Sequence, residues 1–196
     1  MPESRLPGKN WDSLAALDVI LRTTRQSARV FDAGGETYSV ILPWLSLYGY
    51  RNLVCGNISF ESAFHRGPIR FEHADITRTT YPDGHFDAIT CLSVIEHGVD
   101  VELYLREMSR VLKPGGTLVT STDYYETPID TRGHTAYGVP VRVFSRPEIL
   151  KMLDQGEKVG FTPLGPLDPT SGEKVIHWRR FDLRYTFVVF SLRKVR

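Results

Sequence analysis

The chain has 196 residues, 41% hydrophobic and 24% charged, with 10 Phe, 9 Tyr and 3 Trp, which supplies enough apolar side chain for one packed core and excludes a globally disordered chain. Its 24 Lys and Arg against 23 Asp and Glu leave a formal net charge of +1, so no whole-molecule field favours a nucleic acid or an anionic membrane as partner. No apolar run reaches the roughly 20 residues of a membrane span and the first ten residues lack the apolar stretch of a secretory signal, so the protein is expected in the cytoplasm, with a small molecule as its partner.

Residues 1–10 are polar with two prolines and read as a loose leader. Residues 12–24 place Leu14, Leu17, Ile20 and Leu21 on one face of a helix capped by Asp12 or Ser13. The run 28–35 (ARVFDAGG) reads as a buried strand entering a tight turn, and a helix is expected over about 38–48, limited by Pro43 and Gly49. A second strand (51–57), a helix-like stretch (59–65) and an alternating third strand (69–75) follow, then a fourth strand at 85–94. Within 99–116, Val101, Tyr104, Leu105, Met108, Val111 and Leu112 trace a helical face, and Pro114-Gly115-Gly116 stops that helix before a fifth strand at 117–124. Strands alternating with helices at such intervals imply right-handed crossovers and a parallel sheet covered on both faces.

The segment 124–143 has no sustained period. Helix resumes over 144–160, with Ser145 as cap and Glu148 three residues later, and Ile149, Met152 and Leu153 inward. Residues 174–178 and 184–194 read as two strands pairing antiparallel at one edge of the sheet. Cys55 and Cys91 fall on strands separated by a third, about 9 to 10 Å apart at two sheet spacings, too far for a disulfide, and no metal-ligand spacing surrounds them.

In an open parallel sheet, ligands bind beyond the carboxyl ends of the strands, where strand order reverses. Four turns fall there: Asp32-Ala33-Gly34-Gly35-Glu36, Gly56-Asn57-Ile58, Ala74-Asp75-Ile76 and Ser93-Val94-Ile95-Glu96-His97. Carboxylates, an amide and glycines around one crevice fit a nucleoside. The G-x-G-x-x-G of dinucleotide sites is absent, and Glu36 would repel a diphosphate, whereas a ligand carrying a sulfonium and an ammonium tolerates carboxylates nearby.

Residues 28–123 resemble the class I S-adenosylmethionine-dependent methyltransferases, most closely in YPDGHFDAITCLSVIEH (81–97) and REMSRVLKPGGTLVTST (106–122). The resemblance implies an α/β fold, a three-layer Rossmann-like sandwich with a mostly parallel seven-stranded sheet and an antiparallel C-terminal edge hairpin. It implies a single domain: leader and helix (1–27), cofactor-binding core (28–123), lid and acceptor loop (124–143), and C-terminal helix and strand pair (144–196). It implies S-adenosylmethionine as cofactor, with Asp32, Gly34 and Gly35 beside its methionine portion, Asn57 at the ribose, Asp75 and Ile76 at the adenine, and Ser93, Val94 and His97 beside the sulfonium. Two positions depart from the pattern. Glu36 stands where a glycine is usual, and Asn57 where a carboxylate usually takes both ribose hydroxyls; loss of charge assistance there corresponds to about 1 to 2 kcal/mol of binding.

Methyl transfer is an in-line displacement in which positioning supplies much of the rate and a base is needed only if the nucleophile sheds a proton. The irregular 124–143 segment is expected to cover the crevice, with Tyr124, Tyr125 and Tyr137 lining the acceptor pocket and His134 or Asp123 as base. The expected activity is methyl transfer to oxygen or nitrogen of a small polar metabolite. Glu36 and Asn57 keep a second reading open, a binding or regulatory module of the same fold without transfer activity. A third, RNA methylation, would use the basic residues Arg179, Arg180, Arg184, Arg193, Lys194 and Arg196, which also serve to protect an edge strand.

Overall fold

A computed structural model of the chain describes residues 10–136, 138–167 and 174–195. Its elements are α1 (Asn10–Thr23), β1 (Arg29–Ala33), α2 (Ile41–Leu47), β2 (Asn52–Asn57), β3 (Phe64–Arg66), β4 (Ile69–His73), β5 (Phe86–Leu92), α3 (Val101–Val111), β6 (Leu112–Tyr125), β7 (Thr135–Ala136), β8 (Val139–Pro140), β9 (Phe144–Ser145), α4 (Arg146–Lys158), β10 (Phe161–Pro163), β11 (Ile176–Trp178) and β12 (Leu183–Lys194). The main sheet runs β10-β12-β6-β5-β1-β2-β4-β3, with β11 paired to β12 and β9 to β6. β4, β2, β1, β5 and β6 are mutually parallel, while β12, β10 and β3 run antiparallel to their neighbours. The chain leaves β1 outward through β2 and β4 and returns to β5 on the other side, so strand order reverses between β1 and β5.

Two apolar clusters cover the two faces. On one, Ala16, Leu17 and Ile20 of α1 and Ile41, Leu42, Trp44 and Leu45 of α2 pack with Val30, Leu53, Cys55 and Val119. On the other, Tyr104, Leu105, Met108 and Val111 of α3 and Ile149 and Met152 of α4 pack with Phe31, Ile89, Cys91 and Leu118. Both cysteines are free and buried. The α3 face is the one its apolar spacing predicts. On α1 the face is rotated toward Ser13, Ala16, Leu17 and Ile20, leaving Leu14 exposed. On α2, Leu47 and Tyr48 are exposed and Trp44 is inward.

Several local expectations are corrected. Residues 59–65 form no helix: Phe64 starts β3, a hairpin partner of β4 across Gly67, and its ring stacks on Phe71 at 4.8 Å. Lys113-Pro114-Gly115-Gly116 is a bulge between the Phe86↔Leu112 and Ala88↔Thr117 pairs, so the chain passes from α3 directly into β6 at Leu112. The C-terminal strand pair is not the sheet edge. β12 lies between β6 and the unanticipated β10, whose Phe161 pairs with Lys194, and β11 pairs only with the start of β12. Within 124–143, Thr135–Ala136 and Val139–Pro140 form a separate two-stranded ribbon. Tyr137 and Arg196 lie outside the described residues, as does most of the expected leader.

Candidate active site

The four expected turns meet at the carboxyl ends of β1, β2, β4 and β5. Gly34 adopts φ +81, and a Cβ there would overlap the Val94 side chain, so the turn after β1 lies directly against the turn after β5. A Cβ at Gly35 would overlap the Asp32 carboxyl group. These two glycines are required by contact and not only by the turn. Gly34 N donates to Gly56 O at 2.7 Å, which joins the first turn to the second.

Asp32 is 2% exposed and accepts a hydrogen bond from Thr90 Oγ1 at 2.7 Å. Burial pushes its carboxyl up to about 7, the Thr90 bond opposes that rise, and the nearby Asp12 charge adds to it. Asp12 comes from α1 and is itself buried. The structure places it inside the first turn of a helix that begins at Asn10, where it accepts from Ser13 N at 2.6 Å and, through Oδ2, from Ser121 Oγ at 2.9 Å. Ser121 in turn accepts from Ser93 N through Oγ at 3.0 Å and through its carbonyl at 3.1 Å. Those bonds hold Ser93 at φ 54, a left-handed conformation unusual for serine, and its Oγ is buried without a partner among the described residues.

Asn57 donates through its side-chain amide to Gly34 O and Gly35 O, both at 3.0 Å, and to Glu36 Oε1 at 3.2 Å, while its Oδ1 accepts from Ser59 N at 2.9 Å. Asp75 is exposed and caps its own turn, accepting from Thr77 N at 2.9 Å and Thr77 Oγ1 at 2.7 Å; those bonds hold its carboxyl below the usual range against a smaller opposing effect of burial. Ile76 is buried in the cluster under α3. His97 is half-buried, and its N–H closes the turn on Val94 O at 3.0 Å.

A second group of acids lies at the end of β6. Glu96 is 1% exposed and accepts from Thr122 Oγ1 at 3.0 Å. Asp123 is 6% exposed and is hydrogen-bonded by the Tyr185 hydroxyl of β12; burial, then the Asp123 and Glu96 charges, pushes that phenol far above its usual range. Tyr124 is core: it pairs with Phe144 and is 1% exposed, facing α3 and α4. Tyr125 is half-buried beneath Lys174, whose Nζ lies 4.3 Å from its ring centroid and 2.5 Å from Glu126. His134 sits at the base of the β7–β8 ribbon and stacks on Phe181 at 4.1 Å, just before the start of β12, which pairs with the carboxyl end of β6. The ribbon's Val139 approaches Gly98, which follows the fourth turn.

The sequence reading missed Asp12, Thr90, Glu96, Ser121 and Tyr185 as site residues. Only Glu96 carried a signal, since it stands in the fourth turn. An open groove of about 380 Å³ lies at the opposite end of the sheet beside Arg25, Asp87 and Lys113. Its one carboxylate is already satisfied by Lys113 Nζ at 2.5 Å and Arg29 N at 2.8 Å, and none of the four turns reaches it.

Residues 23–120 match the family described as "Methyltransferase domain". A demethylmenaquinone methyltransferase from Deinococcus radiodurans is 51% identical over 51 residues, 26% of this chain and 21% of that protein. A ubiquinone/menaquinone biosynthesis C-methyltransferase from Azotobacter vinelandii is 33% identical over 110 residues, 50% of this chain and 44% of that protein, so the chain spans under half the length of these relatives. An S-adenosylmethionine-dependent methyltransferase from Mesorhizobium loti superposes with a TM-score of 0.67 at 20% identity, covering 93% of this chain and 98% of that one, a likeness of fold.

Proposed function

Because the chain belongs to the methyltransferase-domain family, we propose that it transfers a methyl group from S-adenosylmethionine to a small-molecule acceptor. The observation that carries this reading is the convergence of the four turns at the point of strand reversal, with Gly34 against Val94 and a buried carboxyl group beneath Gly35. The residues fit the cofactor. The two glycines let the first turn pack directly on Val94 and Asp32 with no side chain between, Ser93 Oγ next to Val94 is buried and unpaired among the described residues, and Asp32 and Glu36 suit a ligand bearing positive charge. When bound, S-adenosylmethionine supplies an activated methyl group on a sulfonium.

In this reading Asp32, Gly34, Gly35, Ser93, Val94 and His97 border the methionine portion, and Asp75 and Ile76 border the adenine. Residues 124–143 cover the acceptor, with Tyr125 and the β7–β8 ribbon above the crevice. Asp123 takes the acceptor's proton, held in place by Tyr185, and Glu96 adds a second carboxylate on the same side of the crevice. A proton acceptor there suits an O–H or N–H nucleophile on a small polar metabolite, and this is the acceptor class we assign. A second reading, C-methylation of a quinone-type ring, is favoured by the names of the two relatives above.

Incubation with methyl-labelled S-adenosylmethionine and a panel of alcohols, amines and hydroquinones tests both, and the labelled atom of the product separates O-, N- and C-transfer. Transfer to an alcohol or amine is the expected result. Tight cofactor binding with no transfer to any class would favour the binding-module reading. Absence of calorimetric binding of both S-adenosylmethionine and S-adenosylhomocysteine would overturn the assignment of the site.

A further inference from the structure

We propose that Glu36, and not Asn57, takes the ribose hydroxyls of the adenosyl group; this rests on the reading that the site holds S-adenosylmethionine. A vicinal diol presents two O–H donors side by side, and the acceptor that matches it is a carboxylate with two oxygens. Asn57 cannot supply that pair. Both of its amide-nitrogen donors are spent on Gly34 O, Gly35 O and Glu36 Oε1, and its oxygen accepts from Ser59 N. It is a staple of the first turn, and turning its amide toward a diol would require it to release the Gly34 and Gly35 carbonyls.

The same hydrogen bonds bring a carboxylate to the end of β2. Glu36 reaches across from the turn after β1, with Oε1 held by Asn57 Nδ2 at 3.2 Å and, at the limit of hydrogen bonding, by Ser59 Oγ at 3.5 Å. Oε2 has no partner among the described residues, and the side chain is half-exposed at the crevice. Its backbone is fixed as well: Glu36 N donates to Ser39 Oγ at 2.8 Å, and Ser39 N donates back to Glu36 O at 3.0 Å. A free carboxylate oxygen is therefore held in position before any ligand arrives, which lowers the ordering cost of binding. One relocation of charge, from the end of β2 to the turn after β1, accounts for both places where the sequence departs from the family pattern.

The test is isothermal titration of the full chain with S-adenosylhomocysteine and its 2′-deoxy and 3′-deoxy analogues, for the wild type, E36Q and E36D, with circular dichroism confirming the fold of each. The wild type should favour the intact ribose by about tenfold over either analogue. E36Q should lose about tenfold toward S-adenosylhomocysteine and little toward the analogues, so that it no longer discriminates among the three. E36D, which keeps the charge but shortens the reach, should behave like E36Q. Unchanged affinity in E36Q, or an equal loss toward all three ligands, would overturn the inference while leaving the cofactor assignment standing. A wild type that binds none of the three overturns both, and a wild type indifferent to the hydroxyls overturns the inference without any variant.

Discussion

Asp32 is the residue whose surroundings most constrain its chemistry. A carboxyl group raised by burial to about 7 holds a proton in the folded chain over a range where the unfolded chain has released it. The folded state therefore binds more protons between about pH 4 and about pH 7, and stability falls as pH rises through that window and levels off above it. The loss is of the order of a few kcal/mol for a shift of this size. Chemical denaturation across that pH range should show the decline in the wild type and its absence in Asp32→Asn. A cationic ligand favours the ionised carboxylate, so affinity for S-adenosylmethionine should rise from about pH 6 to about pH 8 in the wild type. Asp32→Asn should bind weakly and without that slope; a matching slope in the variant would assign the titration to another group.

At the scale of the elements, α4 shows what a local signature can specify. Ser145 and Glu148 form the reciprocal pair of a capping box, with Ser145 N at 2.8 Å and Ser145 Oγ at 2.6 Å from Glu148 Oε2, and Arg142 holds the other carboxylate oxygen at 2.9 Å. Ser145→Ala should lower the stability of the whole chain by about 1 kcal/mol, read as a shift in denaturation midpoint with unchanged slope. That cap is legible in the sequence because all its members lie within six residues. The α3 face is legible for the same reason, since its period is sustained over three turns. Phe60 and Phe64 stand four residues apart, a spacing that also fits a helix face, but Phe64 belongs to the β3–β4 hairpin and both rings pack on Phe71. β10 carries three residues and two prolines follow it, too little pattern to announce a strand, and it forms on the edge of β12 that faces away from β6, where Leu192 and Arg193 pair with both neighbours. The site divides likewise. Its four turns are written in glycines and acids beside strands, but Asp12 meets Ser121 across 109 residues, and no local pattern encodes a contact of that separation.

At the scale of the molecule, the layered sheet sends the ends of its five parallel strands to one side, and the remaining chain closes over that side from two directions. α1 packs on β5, β6 and β12 and carries Asp12 to Ser121, which bonds the backbone of the fourth turn. From the other direction, the β7–β8 ribbon sets Val139 beside Gly98, and the β11–β12 hairpin supports it through Phe181 on His134, with Trp178 edge-on to Phe181 at 4.7 Å. The cofactor contacts assigned above all come from the strand-end turns, and none from the ribbon. Cofactor binding and acceptor binding should therefore be separable. Excision of 135–140 is geometrically mild, because Val141 N already donates to His134 O at 3.0 Å and a short glycine bridge can close the gap. The shortened chain should keep its affinity for S-adenosylhomocysteine within about twofold, since energies of separated sites add to within a few tenths of a kcal/mol. Methyl transfer should fall by at least about a hundredfold, because an uncovered acceptor loses its alignment with the methyl group and stays solvated. Titration and turnover on the same preparation decide it: loss of cofactor affinity in step with turnover would mean that the ribbon belongs to the cofactor site, and unchanged turnover would mean that the acceptor binds elsewhere.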